Sequence, residues 1–325
     1  MGIRGLKRYL DTKNMFSRFN WTDLKDKKVA IDIQSFIYKA KSEEQNPVEV
    51  IGSFLHELLK QNTQVIVVFE GKAPKEKIEV VNHRREERSK ASSTIELLTK
   101  EIDSGIVPDK DLAIATIKHL KSKAPTVRND DVKKIKKLCY TIGVTHYQAV
   151  GEADDFLAYL SNKSYVDYVI SPDMDILSRN VSNLLVPESN IPRLNNEWKC
   201  YNLQNILTMM TYTYDQFITF CVLIGCDYTY GVPSVNPRFA YSAVKEHNTI
   251  ALSWSALGGN VSHVETLEKG YGLLFYKEKD VTSLLGMSST ERFTSDSEHK
   301  SEIEHIDELD ISSKLKEDFI TLLTV

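Results

Sequence analysis

The chain has 325 residues, of which 42% are hydrophobic and 26% charged, and its formal net charge is −4. This is the composition of an ordinary globular protein with one large domain or two smaller ones. No apolar run reaches about 18 residues, so we expect no transmembrane helix, and the first residues contain no apolar signal core. The four cysteines show no CxxC spacing and no histidine at zinc spacing, which favours packing roles in a reducing compartment.

The charge is unevenly distributed along the chain. Residues 72–137 contain 17 Lys/Arg against 11 Asp/Glu, whereas residues 280–325 contain 4 against 11. A basic middle and an acidic end suit a protein whose middle meets a polyanion. A solvated helical face followed by a flexible end explains the same counts, so charge alone leaves both interpretations open.

The predicted elements alternate between strands and helices. In chain order they are a strand passing into a helix over 28–38, an amphipathic helix over 47–60, a buried strand over 64–71, charged helices over 76–137, a strand over 144–149, a helix over 152–161, strands over 165–171 and 182–187, and helices over 202–225. A polar linker is predicted over 287–304, and a short docking helix follows it. The alternation predicts an α/β fold with a central, mostly parallel sheet flanked by helices.

Seven carboxylates lie at the ends of these apolar elements. They are Asp32, Glu70, Glu152, Asp154, Asp173, Asp175 and Asp227. In an α/β sheet the ligand site lies beyond the carboxyl ends of the strands. If the seven side chains converge there, a pair of hard divalent cations is the simplest source of compensating charge. Such a pair clamps the attacking and leaving oxygens of a phosphodiester, so the pattern predicts a metal-dependent enzyme that acts on phosphates.

Parts of this set have simpler explanations. Glu152, Asp154 and Asp155 lie at a predicted helix start, where carboxylates cap the N-terminus and the helix dipole tolerates negative charge. Asp173 and Asp175 are two residues apart, as in a turn that leaves a strand. The complete set is harder to explain in this way, because its members come from five separate segments.

Residues 1–260 resemble the flap endonuclease family of structure-specific 5′ nucleases. The matching segments, in order and with familiar spacing, are MGIRGL, VAIDIQSFIY, VVFEGKAP, GEADDFLAYL, SPDMDIL and LIGCDYTYGVPSVNPRFA. Of these, GEADDFLAYL is closer to the 5′ exonuclease branch. The shortened chain is also similar to members encoded by large DNA viruses. The resemblance implies a PIN-like 5′ nuclease fold with a helical arch and a helix–two-turn–helix element that binds DNA.

The resemblance also implies a division of the chain. Residues 1–90 would form an N-terminal nuclease region and residues 91–130 the helical arch or cap. Residues 131–260 would form an internal nuclease region, with the helix–two-turn–helix at about 220–245. Residues 261–325 would be a divergent acidic extension.

For the metal site, the resemblance implies that the seven carboxylates hold two Mg²⁺ ions, for which Mn²⁺ can substitute. The family usually has Asp where Glu70 stands, so we expect altered metal geometry or rate rather than loss of activity. Lys77 and Arg84 match the family's gateway helix and would touch the scissile phosphate as catalytic cations. Without the resemblance, a solvated basic face explains both residues.

For DNA binding, the resemblance points to Gly2, Tyr38 and Arg238. Tyr38 would stack on the displaced nucleotide, with a buried structural tyrosine as the alternative. In the arch, basic side chains would line the passage for a single strand, while leucines pack the arch itself. These basic residues are Lys118, Lys121, Lys123 and Arg128.

The helix–two-turn–helix departs from the family pattern. The family turn is typically Gly-x-Gly-Pro-Lys-Arg, whereas residues 234–239 read SVNPRF. The glycines are replaced by Ser234 and Asn236, which puts duplex affinity and the K⁺ ion often bound there in doubt. Asn can still adopt the left-handed backbone region.

The resulting expectation is a metal-dependent nuclease that hydrolyses phosphodiester bonds of flapped or branched DNA in replication, repair or recombination. The alternatives are a 5′→3′ DNA exonuclease, a 5′ exonuclease for RNA and an inactive DNA-structure-binding protein. We expect a monomer inside the cell, either in the nucleus or at a cytoplasmic viral replication site, with no membrane partner. Residues 314–325 supply no clamp-binding box, so a sliding-clamp partner is not supported.

Overall fold

The computed structural model describes residues 2–188, 198–229, 231, 235–247, 249–279, 281–285 and 303–324. Its strands are β1 (Ser17–Phe19), β2 (Lys28–Asp32), β3 (Gln64–Phe69), β4 (Thr145–Gln148), β5 (Tyr168–Ile170), β6 (Asn183–Pro187) and β7 (Trp198–Asn202). Within these ranges, no helix combines the length and the apolar character needed to cross a membrane.

Fifteen α-helices surround the strands in the described ranges. They are α1 (Leu6–Thr12), α2 (Ile33–Ser42), α3 (Pro47–Lys60), α4 (Ile78–Asp103), α5 (Lys110–Lys123), α6 (Asn129–Thr141), α7 (Ala153–Asn162), α8 (Asp175–Ser178), α9 (Leu203–Met210), α10 (Tyr214–Ile224), α11 (Pro237–Glu246), α12 (Ile250–Ala256), α13 (Val264–Leu274), α14 (Val281–Leu285) and α15 (Ser313–Leu323).

The strands form one mixed sheet in the order β1-β7-β6-β5-β2-β3-β4. The five strands from β6 to β4 run parallel, and β7 and β1 add an antiparallel edge. The α/β prediction is therefore confirmed. Strands β1 and β7 escaped prediction because SRF is only three residues long and WKCYN is partly polar. Because β2 lies between β3 and β5, the carboxyl ends of these three strands meet at one edge.

Two hydrophobic cores cover the two faces of the sheet. In β2, Ala30 points into the first core, while Val29 and Ile31 point into the second. Helices α7, α9, α10, α11 and α13 contribute to the first core, and helices α2, α3, α6 and α15 to the second. Burial on both faces explains why the central strands read as unbroken apolar runs.

The C-terminal segment is an integral part of the second core. Leu315 and Phe319 of α15 are buried, and a Cβ at Gly52 of α3 would lie only 3.1 Å from Leu315 Cδ2. Two ion pairs join α6 to this segment: Lys134–Asp310 (2.9 Å) and Lys137–Glu308 (2.6 Å). The predicted docking helix is confirmed, whereas most of the predicted linker over 287–304 lies outside the described residues.

Helices α4 and α5 form a hairpin in which very few side chains are buried. Helix α4 runs unbroken for 26 residues, across the expected region boundary at residue 91. Within the two helices only Ala91 and Ala113 are buried, while Leu97 and Leu112 are 57% and 63% exposed. The expectation that leucines pack the arch was wrong for these two residues, because their sides of the helices face no other element.

Candidate active site

Asp32 and Asp173 are joined at the carboxyl edge of the sheet by a serine. Asp32 is the last residue of β2 and is buried. Its Oδ2 accepts hydrogen bonds from Ser35 Oγ (2.6 Å) and Ser171 Oγ (2.8 Å). Ser171 follows β5, and its Oγ in turn accepts from the Asp173 amide (3.0 Å). The ends of two neighbouring strands therefore share one hydrogen-bond network.

The Asp173–Asp175 turn brings the start of the chain into the site. The Asp175 amide donates to Asp173 Oδ1 (3.0 Å), and the Ile3 amide donates to Asp175 Oδ1. Gly2 has φ +99°, and a Cβ there would lie 2.4 Å from Asp173 Oδ1. A side chain at position 2 would therefore collide with a carboxylate, which places Gly2 against the acids and explains why this position needs glycine.

Glu70 follows β3 and reaches the start of α7. Its Oε2 accepts a hydrogen bond from the Ala153 amide (3.1 Å), the first amide of that helix. The methylene that distinguishes Glu from Asp lets the carboxylate reach this helix end. Burial raises the pKa of Glu70 to about 7, and the charges of Asp32 and Glu152 act in the same direction.

Glu152 is held between cations rather than acting as a helix cap. It occupies the N-cap position of α7, but its side chain makes no capping hydrogen bond. Its Oε1 contacts Lys77 Nζ. Its Oε2 accepts from Arg179 Nη2 (2.9 Å) and from the Tyr228 hydroxyl. The capping explanation therefore does not apply to this residue.

Lys77, the residue before α4, and Arg84 of α4 point into the carboxylates. The Lys77 side chain is only 14% exposed; its Nζ lies 3.8 Å from Asp227 Oδ2 and 4.9 Å from the centre of the Tyr228 ring. Arg84 Nη2 donates to Asp227 Oδ1 (2.7 Å) and Oδ2 (2.9 Å). A solvated basic face does not describe these two residues.

The site holds more negative than positive charge. Burial raises the pKa values of Asp154, Asp173 and Asp175, and the charge of Asp173 raises those of Asp154 and Asp175 further. Like-charged carboxylates that must share a site disfavour one another's ionised forms. Among the described residues, Lys77, Arg84 and Arg179 pair with members of the seven predicted carboxylates.

The donor set fits hard divalent cations. All seven predicted ligands offer carboxylate oxygens, which Mg²⁺ and Ca²⁺ prefer, and their surplus negative charge calls for cations. Among the described residues, no three such side chains converge closely enough to form a complete metal shell. Lys77 and Arg84 lie between the carboxylates instead.

Tyr38 stands beside the site on α2. Its hydroxyl accepts a hydrogen bond from Arg88 Nη1 (3.2 Å), and Arg88 Nε donates to the Arg84 carbonyl (3.2 Å). The ring is half-buried, so stacking on a nucleotide and a structural role both stay open. Arg88 ties Tyr38 to α4, which carries Arg84 and directly follows Lys77.

The α10–α11 pair corresponds to the predicted helix–two-turn–helix. Arg238 is exposed in the first turn of α11, where Asn236 Oδ1 accepts from its amide (2.9 Å). Asn236 has φ −77°, so it caps α11 from the extended region rather than the left-handed one. Gly231 takes the left-handed conformation (φ +61°), and a Cβ there would lie 2.5 Å from the Gly225 nitrogen. Ser234 lies outside the described residues.

Several polar residues that contact the predicted carboxylates were not predicted, among them Ser35, which donates to Asp32. Ser171 bridges two strand ends, Tyr228 binds Glu152, and Arg179 binds both Glu152 and Tyr228. One signal was present for Arg179, which is an isolated charge after the apolar α8, four residues beyond Asp175. Tyr228 directly follows Asp227, but a tyrosine next to a predicted ligand has no distinctive pattern.

Comparison with known proteins places the site in a family. The XPG N-terminal domain matches residues 1–91 and the XPG I-region matches residues 143–227, together just over half of the chain. The chain belongs to the XPG/flap endonuclease family. The two matched regions contain all seven carboxylates together with Lys77 and Arg84. Members of the flap endonuclease family are metal-dependent.

Individual family members are distant in sequence. Flap endonuclease 1 of Theileria parva is 28% identical over 280 residues, which cover 80% of this chain and 54% of that protein. A RAD2-like endonuclease of Invertebrate iridescent virus 3 is 25% identical over 306 residues, covering 77% of this chain and 80% of that one. The chain spans about half the length of the Theileria relatives.

The fold is shared with a solved family member. The catalytic core of Rad2 in complex with DNA substrate superposes with a TM-score of 0.64 at 18% identity, over 99% of each chain. At this level of identity the match establishes the fold. The 5′ nuclease fold expected from the sequence is therefore confirmed.

Proposed function

We propose that the protein is a metal-dependent, structure-specific 5′ nuclease that hydrolyses phosphodiester bonds of flapped or branched DNA. One observation carries the proposal: Lys77, which directly precedes α4, and Arg84 within α4 point into a buried cluster of carboxylates at the carboxyl edge of the sheet. Cations beside carboxylates that can bind divalent metal ions suit phosphodiester hydrolysis, because both kinds of positive charge stabilise negative charge on the phosphate. Family membership supports the same reaction class.

In this proposal the acidic cluster holds two Mg²⁺ ions, and Mn²⁺ can substitute. The residues that would bind them are Asp32, Glu70, Glu152, Asp154, Asp173, Asp175 and Asp227. When bound, such ions lower the pKa of a coordinated water and stabilise the charge of the phosphate. The buried, mutually repelling carboxyls support the binding of divalent cations in general, and the all-oxygen donor set favours Mg²⁺ among them.

The cations of the chain act on the phosphate. Lys77 and Arg84 now neutralise Glu152 and Asp227, and both can turn to a phosphate because the N-terminal end of α4 borders the site. There they would stabilise negative charge on the phosphate oxygens as the bond breaks. Tyr38, next to Arg88, would stack on the nucleotide at the cleavage point.

The DNA itself would be held by two helical elements. The α10–α11 pair would grip the duplex backbone, with Arg238 as an exposed phosphate contact and, by family resemblance alone, K⁺ nearby. Residues 91–130 include most of the α4–α5 hairpin and would form an arch that admits a single strand. This arch would connect the nuclease regions formed by residues 1–90 and 131–260. Lys118, Lys121, Lys123 and Arg128 are exposed, and Lys121 also pairs with Glu44, which lies just after α2 (3.2 Å).

A 5′→3′ DNA exonuclease is the second candidate. The segment Glu152–Asp155 favours it, because its form is closer to the exonuclease branch and Asp155 also lies in the site, 3.5 Å from Arg179 Nη1. In either case we propose a monomer acting inside the cell.

The products of labelled DNA separate these functions. The protein is incubated with 5′-labelled flap, nicked, blunt and single-stranded DNA, with Mg²⁺ or EDTA, beside Asp173→Ala. Release of an intact flap supports the endonuclease, and mononucleotides from a nick or blunt end support the exonuclease. Metal-independent DNA binding without products would overturn both and leave a DNA-structure-binding protein.

A further inference from the structure

Arg179 is a buried arginine behind the carboxylate site. It directly follows α8, which begins with Asp175, and it is only 6% exposed. A buried charge is costly unless it is paired and hydrogen-bonded. The guanidinium meets three elements: α7 through Glu152, α13 through the Leu273 carbonyl, and the connection after α10 through Tyr228.

The contacts of Arg179 concentrate on one carboxylate. Its Nη2 lies 2.9 Å from Glu152 Oε2 and 2.9 Å from the Tyr228 hydroxyl. The same Glu152 oxygen accepts a hydrogen bond from Tyr228. On its other side, Nη1 lies 3.5 Å from Asp155 Oδ1. One guanidinium nitrogen, Nη2, thus fixes Glu152 directly and through Tyr228, while the other, Nη1, contacts Asp155 and the Leu273 carbonyl.

Lys77 approaches the same carboxylate from the opposite side. It contacts Glu152 Oε1, while Arg179 holds Oε2. The Tyr228 ring lies beside both cations, with its centre 4.9 Å from Lys77 Nζ and 5.9 Å from Arg179 Cζ. Glu152 therefore lies between a buried cation and a cation that faces the substrate side.

We infer that Arg179 is a positioning residue of this site, because it neutralises and orients Glu152 from the core side. Arg179 thereby limits the negative charge that the site offers to divalent cations. By orienting Glu152 it also fixes the position of Lys77. The inference rests on the proposed function and extends it to a residue outside the predicted set. Two separate properties are involved. The charge of Arg179 controls cation affinity, and its planar fork controls geometry.

Metal affinity in the absence of DNA tests the charge. Arg179→Gln removes the charge and can keep a hydrogen bond to Glu152, whereas Arg179→Lys keeps the charge without the fork. Calorimetric titration with Mn²⁺ measures this affinity for the whole chain. Arg179→Gln should bind Mn²⁺ about tenfold more tightly than the native protein. The reason is that removing a unit positive charge within several ångströms of a bound cation changes its affinity by at least that factor at low effective dielectric. Arg179→Lys should stay within about threefold of native affinity, because its charge is retained.

A matched control removes a lysine charge elsewhere. Lys199 of β7 also pairs with two acids, Asp11 (3.3 Å) and Glu188 (3.2 Å). Lys199→Gln changes the net charge by the same amount on β7, two strands from β5 and three from β2 in the sheet. Its Mn²⁺ affinity should stay within about threefold of native, because Lys199 pairs with Asp11 and Glu188 rather than with any of the seven carboxylates.

Steady-state cleavage of a flap tests the fork. Arg179→Lys should lower kcat about tenfold and leave KM within about twofold, because misplaced catalytic groups weaken interactions made in the transition state. A folded Arg179→Gln variant with native Mn²⁺ affinity would overturn the inference. If Arg179→Gln does not fold, native kcat in Arg179→Lys overturns it instead. If the native protein neither binds Mn²⁺ nor cleaves DNA, the proposed function and the inference both fail. Failure of the inference alone is distinguishable, because the native protein then still binds Mn²⁺ and cleaves DNA.

Discussion

The carboxylate site and the α4–α5 hairpin distribute polar and apolar side chains in opposite ways. In the site, charged groups such as Asp32, Asp175 and Arg179 are buried and hydrogen-bonded. In the hairpin, Ile106 and Leu112 are 73% and 63% exposed. Side chains fixed on strand ends are held accurately for chemistry, whereas a helix pair with few buried contacts opens locally at low cost. The well-packed sheet edge carries the acids. The sparsely packed α4–α5 hairpin lies where, in the proposed function, a nucleic acid strand would pass.

The largest effect is expected for Asp173→Asn. Loss of this carboxylate should reduce single-turnover flap cleavage at least about 1,000-fold, since the ligands act as a set. The same variant should melt at a higher temperature in EDTA, because one of several mutually repelling carboxylates is removed. Asp111→Asn, on exposed α5, should change neither quantity. A lower melting temperature for Asp173→Asn in EDTA would contradict the excess of negative charge.

Lys77→Met should come next. We expect cleavage to fall about 100-fold while the Kd for flap DNA stays within about threefold, because the cation stabilises charge that develops in the transition state. Cleavage and filter-binding or anisotropy measurements give the two numbers. Lys75→Met is the matched control, since Lys75 is exposed two residues away. Equal losses of rate and affinity would make Lys77 a part of the general basic surface.

Phe319→Ala should destabilise the protein without altering its chemistry. Phe319 is fully buried in the second core, and truncation of a buried phenylalanine costs about 3–5 kcal/mol in free energy of unfolding. Denaturant unfolding measures the loss. Well below the melting temperature the flap cleavage rate should match the native rate, and a lower rate there would indicate coupling between α15 and the site.

Glu70 gives the stability a pH dependence. Its pKa is about 7 in the fold against an ordinary value of 4.5, so between these values the native state holds a proton that the unfolded chain has lost. Stability must then fall as pH rises from about 4.5 to 7, with the full cost present above pH 7. In EDTA, the melting temperature of Glu70→Gln should fall less steeply over this range than that of the native protein. Identical slopes would show that neighbouring positive charges or hydrogen bonds offset the free-energy cost of ionising Glu70 in the fold.

The smallest effect is expected in the hairpin. Leu112→Ser should change the free energy of unfolding by less than about 0.5 kcal/mol, because the exposed side chain loses no packing. Denaturant unfolding beside Phe319→Ala makes the comparison direct. A loss above about 1 kcal/mol would show that Leu112 packs in solution, and would remove the contrast between hairpin and core.

The sequence predicted what depends on local pattern and missed what depends on distant partners. Apolar runs identified β2, β3 and β5, and the acids after them followed from strand ends meeting at one edge. Arg179 was missed because its partners Glu152, Tyr228 and Leu273 are 27, 49 and 94 residues away. Lys77 was assigned to the phosphate by resemblance, but no local pattern signals its contact with Glu152.

The pairing of α3 with α15 has a consequence for synthesis. The ribosome delivers the apolar face of α3 about 250 residues before the Leu315 and Phe319 side chains that cover it, and domains form as their parts emerge. Throughout that interval, the surface around Gly52 is open to chaperones and to other nascent chains. Completion of the second core therefore waits until Ser313–Leu323 have been translated.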